Sequence, residues 1–485
     1  MPAVERICDL DITSLSACEL AQSIQQKGIS PVEAAHAYLR RIEELNPLVN
    51  AMACLDPARV LADARNAENA LMAGVTGKPL LGVPLTVKAC IDVQGLRCEA
   101  GTQLRKGYRA ESDAPLVARL RSAGAVILGT TSTPEMLIAY HTENRLQGQT
   151  RNPWDLNRSP GGSSGGEAAA IACGMSAGGI GSDGGGSIRV PASFCGICGL
   201  KPTPGRIPTT GHYPPSGGPF SLIGVVGPMA RTVRDLQLLY EVTSGYEPGD
   251  PVSVPAPSSW DSEVGLPQAL RVGFYEHDGR TSPTSDVAAA VIAAAQCLED
   301  RGFVVESYRP EGLERVHELW CNIFVQGIAM VLSPLVKGRE KDLTANTAEF
   351  LDLASSLPPL TAGELLRTLL DRDSLRFSLI EAMKRFPILL SPVAAIPAFR
   401  HHEGGWGTTH PADYLQTMTY SQYYNVLGNP AAVVPIATSS EGLPIGVQVI
   451  GRPYEEQLLF RVAAILEERF GYKAPKVEAL VRPLT

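Results

Sequence analysis

Leu15, Leu20 and Ile24 recur at near-helical spacing through residues 13–27 with polar residues between them, so the chain opens on an amphipathic helix. Thr13 or Ser14 can cap its start, and Gly28 follows its end. Ser30-Pro31-Val32-Glu33 then supplies a cap, a first-turn proline and an acid at the positive end of a second helix. That helix is expected to reach about Leu45 and stop before Asn46-Pro47. Residues 57–72, rich in alanine and charge, read as a third. Residues 1–75 are therefore expected to form a helical N-terminal region whose role is packing.

The pattern then shifts to short apolar runs. Residues 79–88 (PLLGVPLTVK) read as a strand carrying Lys88 at its end, and Ala125–Leu128 as another, with helix signals in 113–122 and again from Thr133 to Met136. Glu167–Cys173 reads as a short buried helix. Val225–Ala230 leads into a helix over 232–242, and the proline-rich 247–268 marks a surface connection. Strand 270–275, helix 285–300 and strand 303–306 alternate as βαβ units do. Residues 310–386 read as a helical layer over the sheet, 388–392, 432–435 and 445–450 as further strands, and 455–470 as a last helix. The whole chain, 1–485, reads as one large α/β unit.

Composition narrows the partners. The net charge of −8 and the lack of any basic cluster argue against nucleic acid or an anionic membrane. The first residues, MPAVERICDLDITSL, lack an apolar signal core, so a cytoplasmic location is expected. Trp320–Val336 is interrupted by Asn322, Gln326 and Ser333-Pro334, and reads as a buried core element rather than a membrane span. Ten cysteines in 485 residues make no disulfide framework. Cys195-Gly-Ile-Cys198 has no second C-x-x-C or H-x₃₋₅-H to complete a zinc set, so it reads as structural. No metal and no cofactor is expected.

The chemistry gathers between Ser159 and Pro204, where serines stand among paired and tripled glycines. Glycine at that density is tolerated where the main chain needs unusual angles or close approach. Gly162-Ser-Ser164-Gly-Gly166 matches G-x-S-x-G, but no apolar strand precedes it as a nucleophile elbow requires. Histidines that could serve such an elbow stand at His212, His277, His317, His401, His402 and His410. Gly179-Ile-Gly181-Ser-Asp-Gly184 matches G-x-G-x-x-G without a clear strand ahead or a ribose-binding acid about 20 residues on. A different chemistry fits better. The Gly184–Gly186 run can turn successive N–H groups toward one point beside Ser187, as an oxyanion requires. A serine also needs a base, and lysine serves only if it is neutral. An ordinary lysine, with a pKa of about 10.4, lies roughly 4.6 kcal/mol from neutrality at physiological pH. Burial or a nearby positive charge can close that gap. Lys88, beside Leu85, Val87 and Ile91, either is buried or snorkels; taken alone, snorkelling is the expectation.

The chain resembles the amidase signature hydrolases over nearly its whole length. GVPLTVK around Lys88, PGGSSGGEAAA, GSDGGGSIRVPASFCGICGLKPTPGR, YNVLGNPAAVVPIA and GLPIGVQVIGRP carry the resemblance. It implies a large twisted mixed β-sheet covered by helices on both sides, with the catalytic core in 76–245. It implies that Ser187 is the nucleophile, Ser163 a bridging serine after a cis Gly162–Ser163 peptide, and Lys88 the general base. Backbone N–H groups of Gly184, Gly185, Gly186 and Ser187 would form the oxyanion hole, and Ser164, Asp183 and Arg189 would support the loop.

The implied reaction is acyl transfer on a small-molecule amide, anilide, carbamate or ester. The sequence leaves the oligomeric state open, with a homodimer as the candidate. The alternative is the A-type component of a glutaminyl-tRNA amidotransferase, the glutaminase of a larger complex. Two positions depart from the family pattern. Ala89 stands where an acid is common, and Gly184 where a threonine or aliphatic residue is; the extra glycine would widen the acyl pocket or loosen the loop. Pocket walls are expected from 130–145, 208–222, 310–350 and 400–420. Trp320, Phe324, Met330 and Trp406 are candidate apolar lining, and the His401–Trp406 loop a candidate substrate contact.

Overall fold

Short β-branched and apolar runs assemble into one large sheet. The computed structural model describes residues 11–256, 270–401 and 411–477. Strands β1 (Met52–Leu55), β2 (Pro84–Lys88) and β3 (Val126–Thr131) precede a small hairpin of β4 (Glu143–Asn144) and β5 (Gly148–Gln149). Then come β6 (Gly178–Asp183), β7 (Cys198–Lys201), β8 (Val225–Ala230), β9 (Arg271–Phe274) and β10 (Val304–Ser307). The last three are β11 (Ile388–Pro392), β12 (Ala431–Thr438) and β13 (Pro444–Gly451).

All except the hairpin join an 11-stranded sheet in the order β1-β3-β2-β6-β8-β7-β12-β13-β11-β9-β10. The β3-β2-β6 and β11-β9-β10 stretches are parallel, and the pairs between β6 and β11 are antiparallel. The sheet is mixed, as the resemblance implied. Alternate residues of its central strands enter two different cores, Ala432, Val434, Val447 and Val449 on one face, Val433 and Ile450 on the other. Both faces are therefore covered, and near-continuous apolar runs such as β12 follow from that.

Several local expectations change. The second helix runs Pro31–Val49 straight through Pro47, because a proline in the last turn forfeits only one intrahelical bond. Asn46 accepts from the Ala51 and Met52 amides just beyond, at 2.8 and 2.9 Å, and leads the chain into β1. That strand, four residues without periodicity, had no pattern to announce it. Thr133–Met136 opens no α-helix but a short 3₁₀ turn over Glu135–Leu137, with Met136 and Leu137 at φ 53° and 66°. All of the G-x-G-x-x-G match but its last glycine lies inside β6, not in a phosphate-binding turn.

Leu313–Val336 is one 24-residue helix with a mean hydropathy of 1.7 in its richest window, half of which is buried within the protein. By length and composition it is the one helix among the described residues that could cross a membrane. Its central Cys321–Gln326 stretch is π-helical, a form that recurs at functional sites. Trp406, His402 and His410 lie outside the described residues, as does most of the expected surface connection.

Candidate active site

β2 and β6 run side by side in parallel, with Thr86 opposite Gly179 and Val87 opposite Ile180. That register sets Lys88, the last residue of β2, beside Ser182 near the end of β6. Lys88 is fully buried, so it does not snorkel. Its Nζ lies 2.6 Å from Ser163 Oγ and 3.0 Å from Ser182 Oγ. Burial pulls its pKa down to about 8, against the opposing pull of Cys90, Asp183 and Glu167. At that value about a tenth of the lysine is neutral at physiological pH.

Ser163 and Ser164 precede the helix Gly165–Ala172. The Gly162–Ser163 peptide is cis. Thr133 Oγ1 donates to the Ser163 carbonyl at 2.8 Å, and the Ser164 amide donates to the Ser187 carbonyl at 3.1 Å, tying the two serine blocks together. Ser163 and Ser187 line the same cleft. No hydrogen bond joins their hydroxyls, a contact of the kind that tightens when substrate arrives. Ser164 is locked instead: its hydroxyl lies 3.3 Å from both the carbonyl and the amide of Ser182. A nucleophile elbow needs an exposed hydroxyl, so the G-x-S-x-G reading fails here.

The loop after β6 is held by one buried ion pair. Asp183 and Arg189 side chains are both wholly enclosed, with Arg189 Nη2 3.1 Å from Asp183 Oδ1 and Nε 3.1 Å from Oδ2. Burial alone would raise the Asp183 pKa. The guanidinium, the Ile188 amide and Asn425 outweigh it and hold the carboxyl well below the usual range. Gln448 and Asn425 complete the arginine's partners.

Asp183 Oδ1 also accepts the Gly186 amide at 2.7 Å. That N–H is therefore spoken for, which leaves the Gly184, Gly185 and Ser187 amides of the four expected oxyanion donors. Gly186 sits at φ 120°, a conformation that excludes a side chain.

Two side chains from distant segments hold carbonyls of the loop. Trp320 Nε1 donates to the Gly184 carbonyl at 2.9 Å, and Tyr140 Oη to the Gly185 carbonyl at 2.6 Å. A carbonyl and the following N–H point opposite ways in a planar trans peptide. Pinning the Gly184 carbonyl on Trp320 thus aims the Gly185 amide away from it.

The space beside Gly184 is taken by two aromatic rings. A Cβ there would stand 2.8 Å from Phe324 Cε2 and 3.3 Å from Phe220 Cζ. The absent side chain is what lets Phe324 pack over the loop, stacked on Trp320 with ring centroids 4.6 Å apart. Ala89, the other departure, is buried with its amide and carbonyl in backbone hydrogen bonds. The nearby buried acid is Glu167, bonded to the Thr86 and Thr131 hydroxyls and raised by burial to about 7.

Met136 and Leu137, Phe220, and Phe324 with Ile328 bring three of the four expected segments to the cleft wall. Met330 does not join them. It stands on the opposite side of the helix and is 71% exposed. His212 lines the cleft with its Nδ1 2.8 Å from the Pro214 carbonyl. Cys195 and Cys198 are buried and their thiols pushed far up by that burial, which makes them inert packing. Among the described residues, no three His, Cys, Asp or Glu side chains cluster as metal ligands.

Sequence reasoning did not find Ser182, Tyr140, Asn425 or Gln448. Ser182 sits inside the glycine segment and Asn425 inside YNVLGNPAAVV, so attention to buried polar residues in those stretches would have reached both. Tyr140 carries no local signal.

The sequence and fold have many counterparts. An acylamidase of Rhodococcus erythropolis is 33% identical over 459 residues, covering 93% of this chain and 95% of that protein. The A-type component of the glutamyl-tRNA(Gln) amidotransferase of Roseiflexus castenholzii is 34% identical over 479 residues, covering 92% and 94%. The solved 6-aminohexanoate cyclic dimer hydrolase, complexed with substrate, superposes with a TM-score of 0.85 at 30% identity, covering 96% of this chain and all of that one. The family model Amidase matches residues 33–460, and the chain belongs to that family of amide-hydrolysing enzymes.

Proposed function

We propose that the protein cleaves a small-molecule amide through a Ser187 acyl-enzyme, with Ser163 as proton relay and Lys88 as base. The observation that carries this reading is a wholly buried lysine, lowered to about 8, whose amine lies 2.6 Å from Ser163 Oγ. Neutral Lys88 takes the Ser163 proton while Ser163 takes that of Ser187, whose oxygen attacks the carbonyl. The developing oxyanion is met by the Gly184, Gly185 and Ser187 amides. As the tetrahedral intermediate collapses the C–N bond breaks, and the leaving amine collects its proton back along the relay. Water, deprotonated by the same chain of groups, then frees the acid and restores Ser187. Carbamates follow the same steps and fall within the proposed range.

The apolar wall of Met136, Leu137, Phe220 and Phe324 suits an aryl or alkyl acyl group better than a charged one. A cytoplasmic location accompanies this reading.

The test is a fluorophosphonate probe with peptide mapping, alongside rates on anilides, aliphatic amides, carbamates and esters. The adduct is expected on Ser187, and folded Ser187→Ala, Ser163→Ala and Lys88→Ala variants are expected to lose hydrolysis. Retained kcat in folded Ser187→Ala would overturn the assignment. The similarity to the A-type component of an amidotransferase favours a second reading, a glutaminase component. Glutamine hydrolysis in preference to the whole panel would establish it instead.

A further inference from the structure

The helix Ala362–Ala382 belongs to the layer over the sheet, yet one of its faces carries large apolar side chains outward. Leu366 is 63% exposed, Leu370 72%, Phe377 67% and Ile380 39%. With Asp373 between them they follow one another at alternating steps of four and three, a continuous stripe along the helix. The opposite face is used: Leu379 and Met383 are buried, Asn322 Nδ2 donates to Thr368 at 3.1 Å, and Arg372 Nε donates to the Val426 carbonyl at 2.8 Å. Among the described residues nothing covers the stripe.

The charges beside it say what fits. Along its solvent edge, at seven-residue intervals, stand Arg367, Ser374 and Glu381, all exposed. This series is its own complement only when read backwards. In an antiparallel pair about a two-fold axis at Ser374, Arg367 meets Glu381 of the second copy and Glu381 meets its Arg367. The small serines meet at the axis, where the backbones must come closest. A parallel pair would set arginine against arginine and glutamate against glutamate.

Asp373, the polar break in the stripe, would lie near its own copy. Its charge is already balanced on its own helix, with Arg372 at 2.8 Å and Arg376 at 3.6 Å. Glu381 holds Lys384 at 2.7 Å, an exposed pair that can exchange partners at little cost.

We infer that this helix is a homodimer interface, taking a second copy of the same chain antiparallel across its Leu366–Ile380 stripe. A homotypic contact of this kind is isologous and closes on itself, so it yields a dimer and not a filament. The contact lies on the outer side of the layer and uses no residue of the cleft.

Sedimentation equilibrium on the full chain tests it, with hydrolysis measured in parallel. The wild-type protein is expected at twice the chain mass, and Leu370→Glu with Phe377→Glu as a monomer that still turns over substrate. Arg367→Glu alone, and Glu381→Arg alone, should each weaken the dimer about tenfold or more by setting like charges together. The double variant Arg367→Glu/Glu381→Arg should recover wild-type association, which neither general stickiness nor a parallel pair would produce. A wild-type protein that is monomeric at about 50 μM, in the concentration range where isologous dimers of this size form, would overturn the inference. So would a dimer indifferent to both charge reversals. Flotation of a monomeric protein with phosphatidylcholine–phosphatidylglycerol vesicles, lost in the Leu370→Glu/Phe377→Glu variant, would assign the stripe to lipid and overturn it equally.

Discussion

Replacing Lys88 by methionine should make the protein more stable and nearly inactive at once. The lysine is wholly buried and lowered from an ordinary 10.5 to about 8. At physiological pH that difference costs the fold about 3 kcal/mol. Methionine fills a similar volume without a charge. It forfeits the bonds to the Ser163 and Ser182 hydroxyls, worth about 1 kcal/mol each, so the net gain is about 1–2 kcal/mol. Unfolding entropy of about 2 cal/mol/K per residue over 485 residues makes each kcal/mol worth roughly one degree, so Tm should rise by about 1–2 °C.

The sign has a signature in pH. Between the folded and unfolded pKa values the unfolded lysine holds a proton that the folded one does not. Wild-type stability therefore climbs as pH rises from about 8 toward 10.5, and the variant's advantage shrinks over that window. Activity should fall by about 10²–10⁴, the usual worth of a general base. In the wild-type protein kcat/KM should rise with pH to a limb near 8. Thermal melts at about pH 6.5, 8 and 9.5, with initial rates at each, measure all of this; the three values bracket the lysine's folded pKa. A variant that melts below wild type near pH 6.5, a Tm difference indifferent to pH, or substantial residual hydrolysis would each refute the reasoning.

Asp183→Asn leaves the Arg189 guanidinium buried without its counter-charge, and should cost about 3–5 kcal/mol of stability in denaturant titrations. The intact pair's contribution is present above the ordinary aspartate pKa and is lost as pH falls toward the lowered folded value, so the variant's deficit should fade in acid. Gly184→Ala puts a methyl 2.8 Å from Phe324 Cε2, and should lower kcat by about tenfold as the loop is displaced. Phe324→Leu in the same chain should restore much of it. Full activity in Gly184→Ala, or no rescue by Phe324→Leu, would show that the ring does not hold the loop.

The candidate site was legible where its chemistry marks the main chain. Ser163 and Ser187 stand in glycine turns that nothing but close backbone approach demands, and Lys88 ends an apolar strand where a charge has no ordinary place. Its burial was not legible, because solvent lies off the end of most strands and it takes β6 and the Ser163 turn, both distant in sequence, to close this one. The donor roles of Trp320 and Tyr140 were hidden for another reason. Each acts through a single side-chain bond to a glycine carbonyl in a segment 136 and 45 residues away, and such a bond leaves no local pattern. The sheet was read from its apolar runs except for β1, whose pairing with β3 is decided by the partner strand. The run through Pro47 shows the same limit, since propensity ends the helix there and packing carries it on.

Phe324 touches two things at once. Its ring lines the cleft and also stacks on Trp320, which holds the Gly184 carbonyl. If the proposed reaction holds, substrate shape and oxyanion geometry would be read by one mechanical part. On that reading, an acyl group that pressed on the ring would tilt the stack and turn the donor peptide away from the carbonyl oxygen. Poor substrates should then betray themselves in turnover more than in binding, and selectivity would be a property of the rate.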